Sequence, residues 1–324
     1  MLFSLQTSPQ EGVTWERWRR LVRAAEDLGF DSLRRADHYY SYFGDVRQES
    51  LETWVTLAVA AAETRRIRLG NLVCSVTFRH PALLARMAAQ VDALSGGRLE
   101  LGLGAGHYVR EHQAFGIPFP AVAARMEMLE ETCQVVRALW GPGPATFSGR
   151  HYQLRDAECY PKPAQERLPI LIGGSGERRT LRIVAKHADA WNIMFAGPDA
   201  FCRKRDILLR HCAEVGRDPR EIRSTLASGI LLGRDRAELR RHAEGAIVAN
   251  AFLPRDVDAA LEELRRRAWL IGSPDEVLSG LRELEEAGVQ EFMMQHKDSD
   301  NWELLELVGT AVLPHVKAAR SPAA

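Results

Sequence analysis

Apolar residues along the chain fall alternately into short runs of strand length and longer stretches with helical spacing. The stretch 66–107 shows this most clearly. An apolar run at 67–73 leads to Pro81, where apolar positions at helical spacing begin, and a second apolar run follows at 99–103. Gly96 and Gly97 end the helix, because glycine adopts the left-handed conformation without a steric penalty. The stretch is therefore predicted to form a strand–helix–strand unit, which joins parallel strands.

The same alternation recurs along the chain and predicts eight strands, each followed by a helix. The strands are expected at 2–7, 31–36, 67–73, 99–103, 169–172, 189–194, 222–232 and 291–295. The helices are expected at 15–28, 51–64, 81–94, 125–140, 177–186, 199–215, 275–287 and 302–316. Two segments depart from this rhythm: 141–168, with a short hairpin expected at 146–152, and 233–270, which is charged and mainly helical. Residues 321–324 are expected to fray.

Eight such units fit either a closed (β/α)8 barrel or an open doubly wound sheet. No change in composition divides the chain, and the glycine-rich stretch 102–106 does not read GxGxxG and lies deep in the chain. The sequence therefore predicts the α/β class and a (β/α)8 TIM barrel. We expect a single domain over 1–324, with insertions after the fourth helix (141–168) and after the seventh strand (233–270).

Composition narrows the class of protein. The 43 basic and 43 acidic residues balance, so we expect neither nucleic acid nor a membrane surface as a partner. No apolar run approaches the roughly 20 residues that span a bilayer, and the first residues lack the basic region of a secretory signal. The five cysteines show no CxxC spacing, which argues against a disulfide framework and a zinc site. We therefore expect a cytoplasmic protein with reduced thiols.

In a barrel, active residues lie where strands end and loops begin. Gly173-Gly174-Ser175-Gly176 is a candidate anion site, because its backbone can approach a ligand and the next helix directs N–H groups there. A tight turn without a ligand is the alternative. Asp37-His38 places a carboxylate beside an imidazole at the end of the second strand, which suits proton transfer. An exposed loop histidine is the alternative here.

Gly102 and Gly104 alternate with leucines, which leaves a face with little bulk where a flat ring could lie. A well-packed barrel interior is the alternative. His107, Glu111 and His112 follow, but their spacing fits no standard set of ligands, so we expect no metal.

With these residues placed, the chain resembles the bacterial luciferase-like monooxygenases, specifically the branch of coenzyme F420-dependent oxidoreductases. The resemblance covers nearly the full length. It rests on the runs LGFDSL, ADH, RIRLG, RHPALLA, SGGRLELGLGAG, PILIGGSGERRTLRIVAKHADAWN and HCAEVGRDP.

The resemblance implies a TIM barrel with the cofactor in the mouth formed by the strand ends, and often a homodimer. It implies that His38 gives or takes a proton near the cofactor and that Asp37 is the acidic neighbour at the cofactor ring. Leu72-Val73 falls where these proteins carry a bulge and a non-proline cis peptide behind the ring. The further cofactor-binding residues that it implies are Thr77, Gly104, Gly106, His107, Gly173, Gly174, Ser175, Gly176 and Asn192.

Three departures from the family pattern stand out. Arg34 and Arg35 occupy positions where bulky apolar residues are usual, and His107 replaces a common aromatic residue. The family's sugar-phosphate dehydrogenases use a tryptophan and a glutamate, which match Tyr42 and His107 here. This argues against a glucose-6-phosphate activity.

Three functions fit these residues. The first is hydride transfer between F420 and a small organic substrate, with His38 tuned by Asp37; reduction of an unsaturated or carbonyl compound is the expected direction. The second is an FMN-dependent monooxygenation by reduced flavin and oxygen, and the third is non-catalytic flavin binding. The substrate is expected to contact Tyr39, Tyr42, His107, Trp269 and His296.

Overall fold

The computed structural model describes residues 1–42, 44–250, 252–297 and 300–319. Its strands are β1 (Leu2–Thr7), β2 (Ser32–Arg35), β3 (Arg68–Asn71), β4 (Cys74–Ser75), β5 (Leu99–Gly104), β6 (Ala145–Ser148), β7 (Gln153–Ala157), β8 (Ile170–Gly173), β9 (Ala190–Met194), β10 (Arg223–Leu232), β11 (Leu270–Gly272) and β12 (Glu291–His296). The predicted fraying of 321–324 lies outside the described residues.

The helices are α1 (Trp15–Asp27), α2 (Thr53–Glu63), α3 (Pro81–Ser95), α4 (Val109–Ala114), α5 (Val122–Trp140), α6 (Thr180–His187), α7 (Pro198–Val215), α8 (Arg236–Ala249), α9 (Val257–Arg266), α10 (Pro274–Glu286), α11 (Trp302–Ala311) and α12 (Leu313–Ala318). A 3-10 turn covers Pro219–Glu221. No helix in the described ranges is long and apolar enough to cross a membrane.

Eight parallel strands close into a barrel in the order β12, β1, β2, β3, β5, β8, β9 and β10. Closure is direct, because β10 pairs with β9 on one side and with β12 on the other. The predicted TIM barrel is confirmed, and the open sheet is excluded. The short strand β4 continues β3 after Leu72 and Val73 and pairs with β5.

The two insertions take the forms that their composition indicated. In 141–168, β6 and β7 form an antiparallel hairpin. In 233–270, α8 and α9 lead to β11, which pairs with the end of β10 outside the barrel. The pattern missed α4, which at six residues is too short to show a period. It also ran the last helix through Val312, where α11 ends and α12 begins with proline in its first turn.

A buried network of charges fills the barrel near the amino ends of its strands. Arg34 on β2 lies 2.7 Å from Glu100 of β5 and 3.5 Å from Glu291 of β12. Arg223 on β10 pairs with both carboxylates, and its Nε donates to Glu291 at 2.9 Å. A Cβ on Gly70 would lie 2.6 Å from the Arg34 guanidinium, so β3 needs glycine there. The network therefore ties four strands together across the interior.

The neighbouring Arg35 points to the opposite face of β2, since side chains alternate along a strand. Its guanidinium donates to the Leu51 carbonyl at 2.8 Å and to Thr56 Oγ1 at 2.6 Å, which anchors α2 on the outside of the barrel. The two arginines that depart from the family pattern thus serve two different layers.

Loss of one charge from this network is expected to destabilise the fold strongly. Burial raises the pKa of Glu100, but Arg34 and Arg223 outweigh it and hold that pKa at about 2. Arg34→Met should lower the free energy of unfolding by about 3–5 kcal/mol, because it leaves buried carboxylates short of a cation. Chemical denaturation measures this.

Arg220→Met, which breaks an exposed pair with Asp218, is the matched control and should change the free energy of unfolding far less, because water and salt screen exposed charges. Equal losses in the two variants would contradict the prediction.

Stability should also depend on pH through Glu100. Because the folded pKa of Glu100 is depressed, its contribution to the free energy of unfolding is complete above the ordinary pKa of 4.5 and is lost as pH falls towards 2.

Candidate active site

The candidate site is a cavity of about 580 Å³ where the barrel strands end. A second cavity of about 570 Å³ lies between α8, α9 and α10. Two of its charged side chains, those of Arg240 and Asp258, form an ion pair. The first cavity holds most of the predicted site residues, so we place the active site in the barrel mouth.

Val73 forms part of the cavity wall between three glycines. The Leu72–Val73 peptide bond is cis. Added Cβ atoms would lie 2.6 Å from the Val73 side chain at Gly104 and 3.1 Å from it at Gly102 and Gly173. The glycines thus leave the predicted face with little bulk, and the Val73 side chain occupies part of it. A flat ligand in the cavity would rest on that side chain.

The loop after β8 contains the predicted anion site. Gly174 has φ +132°, which favours glycine, and its N–H donates to the Asn192 carbonyl at 2.9 Å. Gly173, Gly174 and Ser175 line the cavity together with Thr180, the first residue of α6. No side chain caps α6, although the Leu181 N–H donates to the Gly176 carbonyl at 3.0 Å, so the positive end of the helix dipole is what favours an anion here. Gly176 lies behind the lining, and the sequence reasoning missed Thr180.

His38 and Glu111 form a hydrogen-bonded pair at the cavity. His38 Nδ1 lies 2.8 Å from Glu111 Oε2, and the Glu111 side chain is fully buried. The other oxygen of Glu111 accepts the backbone N–H of Tyr39. Since a carboxylate only accepts, Nδ1 carries the proton, and Nε2 is the atom left for a ligand.

Asp37 is held by groups other than His38. Its carboxylate accepts from Arg79 at 2.6 and 3.1 Å and from Thr53 Oγ1 at 2.6 Å. Burial raises the pKa of Asp37, but the opposite effect of Arg79 is larger, so the pKa lies below its ordinary value. Asp37 is therefore ionised near neutral pH. Asp37 was predicted to tune His38, but it contacts Arg79 and Thr53 instead. The carboxylate in contact with His38 is that of Glu111.

Aromatic rings surround His38 at the rim. The ring centroids of Tyr42 and His107 lie 5.7 and 5.8 Å from that of His38, and Tyr108 lies 6.1 Å away. Desolvation and the nearby charge of His38 lower the pKa of His107. Tyr39 packs on Phe78 at 4.6 Å and does not line the cavity, so its contact with substrate stays a prediction.

The two remaining predicted cofactor contacts, Asn192 and Thr77, lie in different places. Asn192 lines the cavity and donates to Thr225 Oγ1 at 2.9 Å. Thr77 lies behind the lining, where its hydroxyl is 2.6 Å from His112 Nε2. His112 Nδ1 faces the Tyr108 carbonyl at 2.8 Å, so it donates there and accepts from Thr77. Thr77 thus supports the rim and does not line the cavity.

Trp269 and His296 were predicted to contact the substrate, but neither lines this cavity. Trp269 packs over Gly229 on β10. His296 is buried beside α8, and burial lowers its pKa to about 4. Both border a small space of about 20 Å³ behind the barrel strands.

Sequence reasoning missed several residues that build the cavity. They are Gln6, Ser8, Gln10, Tyr108, Glu111, Met194, Phe195, Gln295 and Lys297. Alternation along β12 could have found Gln295 and Lys297, since residues two apart share a face. Within the described ranges, no cluster of three or more His, Cys, Asp or Glu residues could hold a metal ion.

Known proteins resemble the chain along most of its length. Pyrimidine monooxygenase RutA of Stutzerimonas stutzeri (strain A1501) is 32% identical over 221 residues, which are 65% of this chain and 60% of RutA. An F420-dependent glucose-6-phosphate dehydrogenase of Amycolatopsis mediterranei (strain U-32) is 26% identical over 91% of this chain and 92% of that protein. The chain thus spans less than two thirds of RutA but nearly all of the dehydrogenase.

A solved structure shares the fold at lower identity. It is the oxygenating constituent of 3,6-diketocamphane monooxygenase, from the CAM plasmid of Pseudomonas putida, in complex with FMN. The TM-score is 0.74 at 20% identity, covering 97% of this chain and 99% of that chain. The sequence model for luciferase-like monooxygenases matches residues 1–291. With that match and the barrel architecture, the protein belongs to the luciferase-like monooxygenase family.

Proposed function

We propose that the protein is an oxidoreductase that transfers a hydride between coenzyme F420 and a small organic substrate, with His38 as the proton donor or acceptor. The observation that carries the proposal is the His38–Glu111 pair at the cavity wall. The similarity to an F420-dependent dehydrogenase over nearly the whole chain supports the choice of cofactor.

The residues of the mouth fit a deazaflavin or flavin. Val73 offers an apolar support for a ring, and Gly173, Gly174 and Ser175 with the start of α6 suit a phosphate group. The volume of about 580 Å³ lies within the usual range for cofactor and ligand sites. When bound, the deazaflavin supplies or takes up the hydride. The protein therefore has to bind and orient the cofactor and the substrate, and to move a proton.

We assign the movement of that proton to His38. With Nδ1–H held by Glu111, a neutral ring accepts a proton at Nε2 during substrate oxidation, and a protonated ring donates one during reduction. The Glu111 carboxylate stabilises the protonated ring. We assign Asp37 a positioning role, since its contacts with Arg79 and Thr53 fix the backbone next to His38.

We expect a substrate other than glucose 6-phosphate. Tyr42 and His107 stand where the resemblance implies the catalytic tryptophan and glutamate of the sugar-phosphate dehydrogenases, and both lie at the cavity. Reduction of an unsaturated or carbonyl compound remains our proposed direction.

An FMN-dependent monooxygenase is the alternative, supported by the similarity to RutA and by the FMN complex of the solved relative. Titration of the purified protein with F420 and with FMN, followed by fluorescence, distinguishes the two. We expect F420 to bind with a Kd at least about tenfold below that of FMN. Tight FMN binding without F420 binding would favour the monooxygenase.

Removal of the imidazole tests the catalytic role. His38→Ala should lower turnover by about 10²–10⁴-fold with little change in cofactor affinity, because the proton transfer is lost. Glu111→Gln should lower turnover by about 10–100-fold and shift its pH profile, since the orienting carboxylate is removed. His211→Ala, at a surface histidine on α7, is the control. Unchanged turnover in His38→Ala would exclude His38 as the proton-transfer residue, whereas cofactor binding without turnover in the wild type would fit a non-catalytic binder.

We also propose that the protein forms a homodimer through α2 and α3, which pack side by side. Val55, Leu83 and Leu94 on these helices are each more than half exposed. The helix α2 is apolar on nearly all faces, a pattern typical of helices buried on every side.

Charges introduced on this face should separate the subunits. Light scattering of the wild type should give twice 36.3 kDa, whereas the double variant Leu83→Glu, Leu94→Glu should give 36.3 kDa. Val248→Glu, at a position on α8 that is 81% exposed, should leave the mass unchanged. A monomeric wild type would refute the dimer.

A further inference from the structure

The loop after β8 passes over the rim of the cavity between two points of its wall. Ser175 and Thr180 line the cavity, whereas residues 176–179 do not. Glu177, Arg178 and Arg179 are exposed to solvent. An anion held by this loop therefore has two arginines beside it on the way out of the barrel.

The ends of this rim segment are fixed. The Leu181 N–H donates to the Gly176 carbonyl at 3.0 Å, which closes the segment into a tight loop. A Cβ at Gly176 would lie 2.7 Å from Thr180 Oγ1, so glycine allows the loop to approach α6 this closely. The backbone of both arginines is therefore held next to the anion site.

Arg178 and Arg179 are unpaired. Neither forms a hydrogen bond, an ion pair or a ring contact within the described part of the chain. Most exposed arginines are simply hydrated, but these two lie between wall residues of the cavity and directly before α6, whose positive dipole end acts in the same direction. Their charge is thus free to act on an anionic group that leaves the cavity.

Two acidic residues close to this segment already have partners. Glu177 pairs with Lys204 Nζ at 2.6 Å. Glu127 of α5 lies 2.9 Å from His151 Nε2, and that hydrogen bond is the main cause of its lowered pKa, to which the charge of Arg179 adds. Neither carboxylate neutralises the two arginines by contact.

The two candidate cofactors differ at this point. The phosphate of FMN is terminal, so FMN would end at the anion site. In coenzyme F420 the phosphate is esterified to lactate, which carries a chain of glutamates with free carboxylates. Guanidinium groups pair well with carboxylates. The rim can therefore distinguish two cofactors whose ring and phosphate the cavity would hold alike.

We propose that Arg178 and Arg179 bind the carboxylates of the glutamate chain of F420 where the chain leaves the cavity, and that this rim site contributes to a preference for F420 over FMN. This rests on the proposed function. Exposed ion pairs contribute little each, so we expect a modest effect that depends on salt.

The test compares F420 that carries several glutamates with the form that carries none. Each is titrated into the whole protein at low salt, and binding is followed by the fluorescence of the deazaflavin. The Kd of the glutamylated form should be about three- to tenfold lower, and added salt should bring the two values together. Equal Kd values at low salt would overturn the proposal.

Charge variants assign the difference to the two arginines. The double variant Arg178→Gln, Arg179→Gln should bring the two Kd values within about twofold of each other. Arg178→Glu, Arg179→Glu should reverse their order, because like charges repel. The matched control is Arg65→Gln, Arg66→Gln, at two adjacent exposed arginines that precede β3 at the opposite end of the barrel, and it should keep the wild-type ratio.

The ratio of the two Kd values separates charge recognition from a structural role. Both forms share the ring and the phosphate, so a loop disturbed by the substitutions would weaken both by the same factor and leave their ratio unchanged. A wild-type ratio in the double glutamine variant would therefore refute the rim site.

The two proposals fail in different ways. If neither form of F420 binds, the proposed function is refuted and the rim site with it. If both forms bind with equal affinity, the rim site alone is refuted and the proposed function stands.

Discussion

The ion network of Arg34, Glu100, Glu291 and Arg223 is the constraint on which the rest of the barrel depends. These charges come from β2, β5, β10 and β12, strands on different sides of the interior. Their mutual attraction in a medium of low dielectric constant offsets the cost of removing the charges from water only when the geometry is right. The network therefore fixes how the strands are arranged at one end, and the loops at the other end inherit that arrangement.

At the mouth, that arrangement brings together groups that are distant in the chain. Glu111 reaches His38 across 73 residues, and Arg79 reaches Asp37 across 42. One buried carboxylate thus orients the imidazole, and one buried guanidinium keeps the neighbouring carboxylate ionised. The two adjacent residues at the end of β2 have separate partners, which allows them to have separate tasks.

Much of the fold could be predicted from the sequence because it depends on local periodicity. Each of the eight barrel strands lies within three residues of its expected bounds. The site was predicted less well because it depends on which face of a strand a side chain occupies. His296 lies on the outward face of β12, while Gln295 and Lys297 on either side of it line the cavity. The identity of the residues at a strand end does not show which of the two faces each side chain occupies.

The packing around Val73 has a consequence for how this mouth can change over generations. Its side chain fills the space left by Gly102, Gly104 and Gly173 on two neighbouring strands. A methyl group gained at Gly104 or Gly173 requires volume to be lost at Val73, whereas one at Gly102 would first meet the Asn71 carbonyl at 2.1 Å. Val73, Gly104 and Gly173 are therefore expected to change together, and Gly102 to stay glycine. Variation in ligand choice is consequently expected to accumulate on the opposite rim, where side chains can be exchanged one at a time.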